Sequence, residues 1–122
     1  MRDTYTIKHQ NPGLKVSVLP DYGGMVSGIS LGGKELLYLD ERTVESSPIT
    51  AGGIPILFPF AGKTAKDSYI IDGKKYHMPM HGLVKNICFA VESHKENEIW
   101  LYTDGSKAFK DRHYPFDYTL KA

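Results

Sequence analysis

The sequence predicts an all-β protein, an antiparallel β-sandwich or part of one, and three observations carry that reading. Apolar and polar residues alternate with a period of two, as where Leu14, Val16 and Val18 face one way and Lys15 and Ser17 the other. Gly32-Gly33, Asp72-Gly73 and Asp104-Gly105 sit between short apolar or β-branched runs, and glycine there supplies the positive φ that two-residue hairpin turns need. No stretch repeats its apolar residues at helical spacing.

Taken in order, strands are expected at Tyr5 to His9, at Leu14 to Val18 and at Met25 to Leu31, the last turning at Gly32-Gly33 into Leu36 to Leu39. The polar residues from Asp40 to Ala51 read as a loop. Gly52 to Lys63 holds Pro55 and Pro59, which cannot donate ladder hydrogen bonds, so this segment should run as an extended, irregular wall. Ser68 to Ile71 enters a hairpin at Asp72-Gly73, and a bend follows at Met78-Pro79-Met80-His81-Gly82. Ile87 to Glu92, Ile99 to Thr103 and Phe116 to Leu120 complete the strands, with a third hairpin at Asp104-Gly105 and a charged loop from Lys107 to Pro115. A last strand that stops at Leu120 leaves an open row of backbone donors and acceptors for more chain or for another subunit.

The 122 residues fit a single domain, 1–122, with 41% apolar and 24% charged residues, which excludes disordered and fibrous classes. Fifteen basic against fourteen acidic side chains give a formal charge of +1. That balance supplies no broad positive field for nucleic acid or an anionic membrane, so the expected partner is a small neutral molecule. Cys88 is the one cysteine, so no intrachain disulfide can form; a reducing, cytoplasmic setting fits, and the thiol reads as buried and inert. No apolar run approaches a membrane span, and from the polar N-terminus no targeting segment is expected.

Two features carry chemistry. The prolines of the wall fix φ and stiffen the backbone, so Lys63 would be presented from a rigid support. Gly82 places His81 on a bend, where an imidazole suits sugar binding or proton transfer at a sugar oxygen. On composition alone the wall reads first as a buried edge and His81 as a hydrogen-bonded core residue; the sugar-facing role is the alternative. His77 and His81 lie four apart, but Pro79 between them rules out the helical zinc arrangement, and no metal or other cofactor is expected. His94 and His113 read as solvated. Trp100 reads as core packing, with stacking on a sugar as its rival use.

The residues Gly52-Gly53-Ile54-Pro55-Ile56-Leu57-Phe58-Pro59, then Tyr69, Asp72-Gly73-Lys74 and Tyr76, then Met78-Pro79 and His81-Gly82, together resemble the aldose 1-epimerase (galactose mutarotase) family, over its N-terminal portion. The resemblance implies a galactose mutarotase-like supersandwich, incomplete in this chain, that binds a hexose and interconverts its α and β anomers without a cofactor. A base takes the proton of the C1 hydroxyl, an acid protonates the ring oxygen, the ring opens, the C1–C2 bond rotates and the sugar closes on the other face. His81 matches the family's first histidine, a substrate contact that assists the acid. Lys63 and Lys85 fall where the family has sugar-binding arginines, and lysine keeps the charge but loses the planar fork. The family's base carboxylate and second histidine are absent here, so little or no activity is expected of these residues alone. The rival implications are a non-catalytic carbohydrate-binding or sensing module, and a hexose-6-phosphate epimerase-like protein in which Lys63, Lys66, Lys74 and Lys75 hold the phosphate. Self-association, or a missing C-terminal half, would use the open sheet edges.

Overall fold

The structure, a computed structural model, describes residues 3–40, 52–105, 107–110 and 113–122. Its strands are β1 (Tyr5–His9), β2 (Leu14–Leu19), β3 (Met25–Leu31), β4 (Lys34–Glu35), β5 (Ser68–Ile71), β6 (Lys74–His77), β7 (Ala90–His94), β8 (Ile99–Asp104) and β9 (Thr119–Lys121), with a short helix α1 (Lys107–Lys110) before the last strand. They form three antiparallel sheets in the orders β1-β2-β3-β4, β5-β6 and β7-β8-β9. The all-β, antiparallel architecture is the one the alternation predicts. Among the described residues no helix is long and apolar enough to cross a membrane.

Alternation explains the first sheet. Tyr5 and Ile7 stand opposite Val18 and Val16 on one face, while Thr6 and Lys8 stand opposite Ser17 and Lys15 on the other. A bulge at Ser17/Val18 shifts the β2–β3 register, which turns Val18 and Leu19 into the interior, where both are buried. The Asp72-Gly73 hairpin forms as expected, with φ of +49° and +78° at its two turn residues.

Five sequence expectations are corrected. Beyond Gly32-Gly33 the returning strand covers only Lys34–Glu35, not Leu36 to Leu39. The Glu35 carboxylate accepts the Ile29 and Leu37 amides and so displaces the next rungs, leaving Tyr38 70% exposed. The strand expected from Ile87 starts only at Ala90 because Ile87 and Phe89 are bonded to the turn at 20–23: Gly23 N donates to Ile87 O at 2.7 Å and Phe89 N to Pro20 O at 2.9 Å. Asp104-Gly105 makes no two-residue hairpin. Gly105 N instead donates to Tyr118 O, and the intervening connection, read as a loop, contains α1, after which His113 N and Tyr114 N both donate to Phe109 O. The last strand accordingly begins at Thr119 instead of Phe116. The loop expected at 41–51 lies outside the described residues.

The main core is Val18, Met78, Leu83, Val84, Phe89 and Leu101, with Tyr69, Leu120 and the wall residues Ile56 and Phe58 packed against it. It thus draws on all three sheets, yet Met78 to Phe89 lies between strands. Phe89, Met78 and Val84 are essentially sealed, and each fully buried side chain of this size stabilises the fold by roughly 1.5–3 kcal/mol.

Candidate functional site

The proline-rich wall is held by isolated bridges in place of a ladder. Gly52 pairs with Leu39, Ile54 with Val26, and Phe58 runs parallel to Gly82. The last pairing positions the histidine. Leu83 N donates to Phe58 O at 2.7 Å, and a side chain at Gly82 would place its Cβ 2.0 Å from that oxygen, so only glycine admits the approach.

His81, one residue before, is half-buried and holds a left-handed φ of +72°, a conformation that costs a non-glycine residue about 1–2 kcal/mol. Two bonds to the end of the wall stabilise it there. His81 N donates to Gly62 O at 3.3 Å, and His81 Nδ1 lies 2.7 Å from the Ala61 carbonyl oxygen. A carbonyl only accepts, so Nδ1 carries the hydrogen and the neutral ring keeps its lone pair on Nε2.

Beside this imidazole lies a cavity of about 160 Å³. Pro55 and Leu57 of the wall and Met25 of β3 give it an apolar side, and His81, Lys85 and Asn86 a polar one. Lys85 reaches it because the chain at 84–85 packs directly on Gly23, where a Cβ would meet Lys85 O at 2.3 Å. Of the three residues singled out in the sequence, His81 and Lys85 therefore line one cavity. Lys63 does not line it: it is exposed, with its Nζ 3.6 Å from Asp67 Oδ1, although its neighbours Ala61 and Gly62 are what hold His81. Asn86 was not legible; no turn or spacing signal marks it apart from its place beside Lys85.

The wall is backed by tyrosines. Phe58 meets Tyr114 and Tyr118 at ring distances of 5.7 and 4.8 Å, and Phe60 meets Tyr69, which stacks on Tyr76. The Tyr69 hydroxyl donates to His113 O, and burial pushes its pKa up, with the nearby Tyr114 and Tyr76 adding to the shift. Tyr69 is thus a brace.

Other readings change. Cys88 is exposed, not buried; its thiol donates to Asp21 Oδ1 at 3.1 Å, and that bond first, then burial and the Asp21 charge, push the thiol pKa up, disfavouring the reactive thiolate. Trp100 is 43% exposed instead of packed in the core, because it lies on the face of β8 opposite Leu101 and Thr103. His94 and His113 are engaged as well as solvated: His94 Nε2 lies 2.8 Å from Thr6 O, and His113 Nδ1 2.9 Å from His77 O.

No protein-family model and no curated protein matches the sequence. Solved structures do. The Slr1438 protein of Synechocystis sp. PCC 6803 superposes with a TM-score of 0.91 at 26% identity, over 99% of this chain and 43% of that one. A galactose mutarotase related enzyme of Lactobacillus acidophilus gives 0.78 at 26% identity, over 98% and 37%. A galactose mutarotase-like protein of Lactobacillus casei ATCC 334 shares the fold, with a TM-score of 0.81 at 22% identity over 98% and 38%. The chain spans less than half the length of each of these proteins. Motifs and fold point the same way: the chain resembles galactose mutarotase-like proteins, the Lactobacillus acidophilus enzyme at 26% identity among them, and shares their fold.

Proposed function

We propose that the chain binds a hexose in the His81 cavity, as the substrate-contacting part of an aldose 1-epimerase-like protein. The observation that carries this reading is the tether of His81 Nδ1 to Ala61 O beside the cavity. With Nδ1 occupied, Nε2 is the atom left to accept a sugar O–H. Lys85 supplies an ammonium donor and Asn86 an amide that both donates and accepts, which suits neighbouring hydroxyls, while Pro55 and Leu57 offer an apolar surface to the C–H face of a pyranose. At about 160 Å³ the cavity is smaller than the roughly 300 Å³ at which ordinary ligand pockets begin, so the sugar is cradled on one side.

Mutarotation needs a base at the C1 hydroxyl and an acid at the ring oxygen on opposite sides of the sugar. Among the described residues the cavity's lining holds one imidazole and no carboxylate, and that imidazole, with Nδ1 turned to Ala61 O, presents Nε2 as an acceptor for a hydroxyl. These residues therefore bind and orient the sugar, and turnover by them alone is little or none. Saturation-transfer NMR on glucose and galactose tests both halves. The chain should broaden the sugar signals without speeding exchange between anomers, and His81→Gln should abolish the broadening. Fast anomer exchange by the intact, mass-verified chain would overturn the statement about turnover; absence of any sugar response would overturn the site.

A further inference from the structure

We propose that His77 and His113, away from the cavity, form a two-imidazole site for a divalent transition metal such as zinc, which ties the connection between β8 and β9 to the end of β6. Thirty-six residues separate them, and the fold brings their ring centroids to 5.6 Å. With metal–nitrogen bonds of about 2.0–2.1 Å and a near-tetrahedral angle, two imidazoles sharing one ion have ring centres roughly 5–6 Å apart. The observed separation needs no rearrangement of the backbone to reach that distance.

The hydrogen bonding points the same way. His113 Nδ1 lies 2.9 Å from His77 O; a carbonyl only accepts, so Nδ1 is the protonated nitrogen and Nε2 keeps a free lone pair. Histidines that ligate metals characteristically donate their other N–H to a backbone carbonyl, which fixes tautomer and ring orientation. His113 is held rigidly for the purpose: its amide donates to Phe109 O, its carbonyl accepts from the Tyr69 hydroxyl, and its ring stands edge-on to Phe109. His77 is exposed at the end of β6 and its imidazole nitrogens have no hydrogen-bond partner among the described residues. Lys110 of the connection is already engaged, its Nζ 2.6 Å from Asp117 Oδ1.

Among the described residues no third histidine, cysteine or carboxylate joins the pair, so water would complete the coordination sphere. Imidazole suits zinc, copper and nickel, whereas magnesium requires oxygen ligands. Such an ion would act as a staple, because the connection it fixes carries Tyr114 and Tyr118 behind Phe58 of the wall.

The test is thermal unfolding of the chelator-treated full chain with zinc chloride or magnesium chloride, with zinc stoichiometry read by equilibrium dialysis. Zinc at a hundredfold excess over its dissociation constant should raise the midpoint by about 10 °C, with one ion per chain, and magnesium should not. His77→Gln and His113→Gln should each lose the zinc response, and His94→Gln should keep it. Should His113→Gln fail to fold, His77→Gln decides, since it retains the backbone carbonyl that holds His113. No zinc-dependent shift in the unmodified chain, or a shift that survives His77→Gln, overturns the proposal.

Discussion

At His81 the left-handed backbone and the Ala61 tether pull in opposite directions. Glycine there would relieve about 1–2 kcal/mol of backbone cost, while losing a hydrogen bond worth about 0.5–1.5 kcal/mol and adding unfolded-state freedom. His81→Gly should therefore leave stability within about 1 kcal/mol of the parent in urea unfolding while the sugar response disappears, which separates a binding residue from a structural one. Tyr118 makes the converse case. Among the described residues its buried hydroxyl has no hydrogen-bond partner, and a buried unsatisfied polar group costs about 1–3 kcal/mol. Tyr118→Phe should be more stable than the parent by about 1 kcal/mol, measured by urea unfolding at neutral pH. Burial, and then Tyr114, raise the Tyr118 pKa above 10.0. Stability held by the protonated phenol is thus present below the unfolded-state value and is lost as pH rises through the folded-state value. The advantage of Tyr118→Phe should accordingly widen above about pH 10.

The wall and the bend that meets it form the element on which the site depends. A Cβ at Gly82 would stand 2.0 Å from Phe58 O and 2.5 Å from Phe58 C, at a φ of +83°. Gly82→Ala should break the Leu83 N to Phe58 O bond and lower stability by at least about 2 kcal/mol in urea unfolding, with loss of the sugar response. This much was legible in the sequence, because two prolines, a His-Gly bend and an Asp-Gly turn are local signals whose geometry is set within a few residues. The failures turned on bonds that alternation does not encode. The sequence could not show that Glu35 would cap Ile29, that Phe89 would bond to Pro20, or that Gly105 would pair with Tyr118. In each case a partner distant in sequence or a side-chain acceptor replaced the rung that alternation predicts. The place of Lys63 outside the cavity and of Asn86 inside it has the same origin, since both follow from how the 20–24 turn and the wall pack and not from any local pattern.

Across the molecule the sheets are small, and among the described residues the outer edge of β9 pairs with no further strand. Leu101 and Ala122 exchange both backbone bonds and Gly105 N donates to Tyr118 O, so the antiparallel alternation points the amides and carbonyls of Thr119 and Lys121 outward. The β1 edge is guarded instead: Thr6 O is met by His94 Nε2, and Lys8 N donates to Glu96 O at 2.6 Å. An unguarded edge is a template for pairing. Sedimentation velocity should show concentration-dependent self-association, reduced in Thr119→Pro, which removes an outward donor and spares the inward rungs. The core has a consequence of its own. Met78 and Val84, which flank His81 on both sides in sequence, are fully buried in it and Leu83 packs beside them, so opening the bend disturbs the interior. In hydrogen–deuterium exchange the Leu83 amide should rank with the slowest in the protein and report the global unfolding free energy, and a sugar should meet a receptor whose shape is set before it arrives.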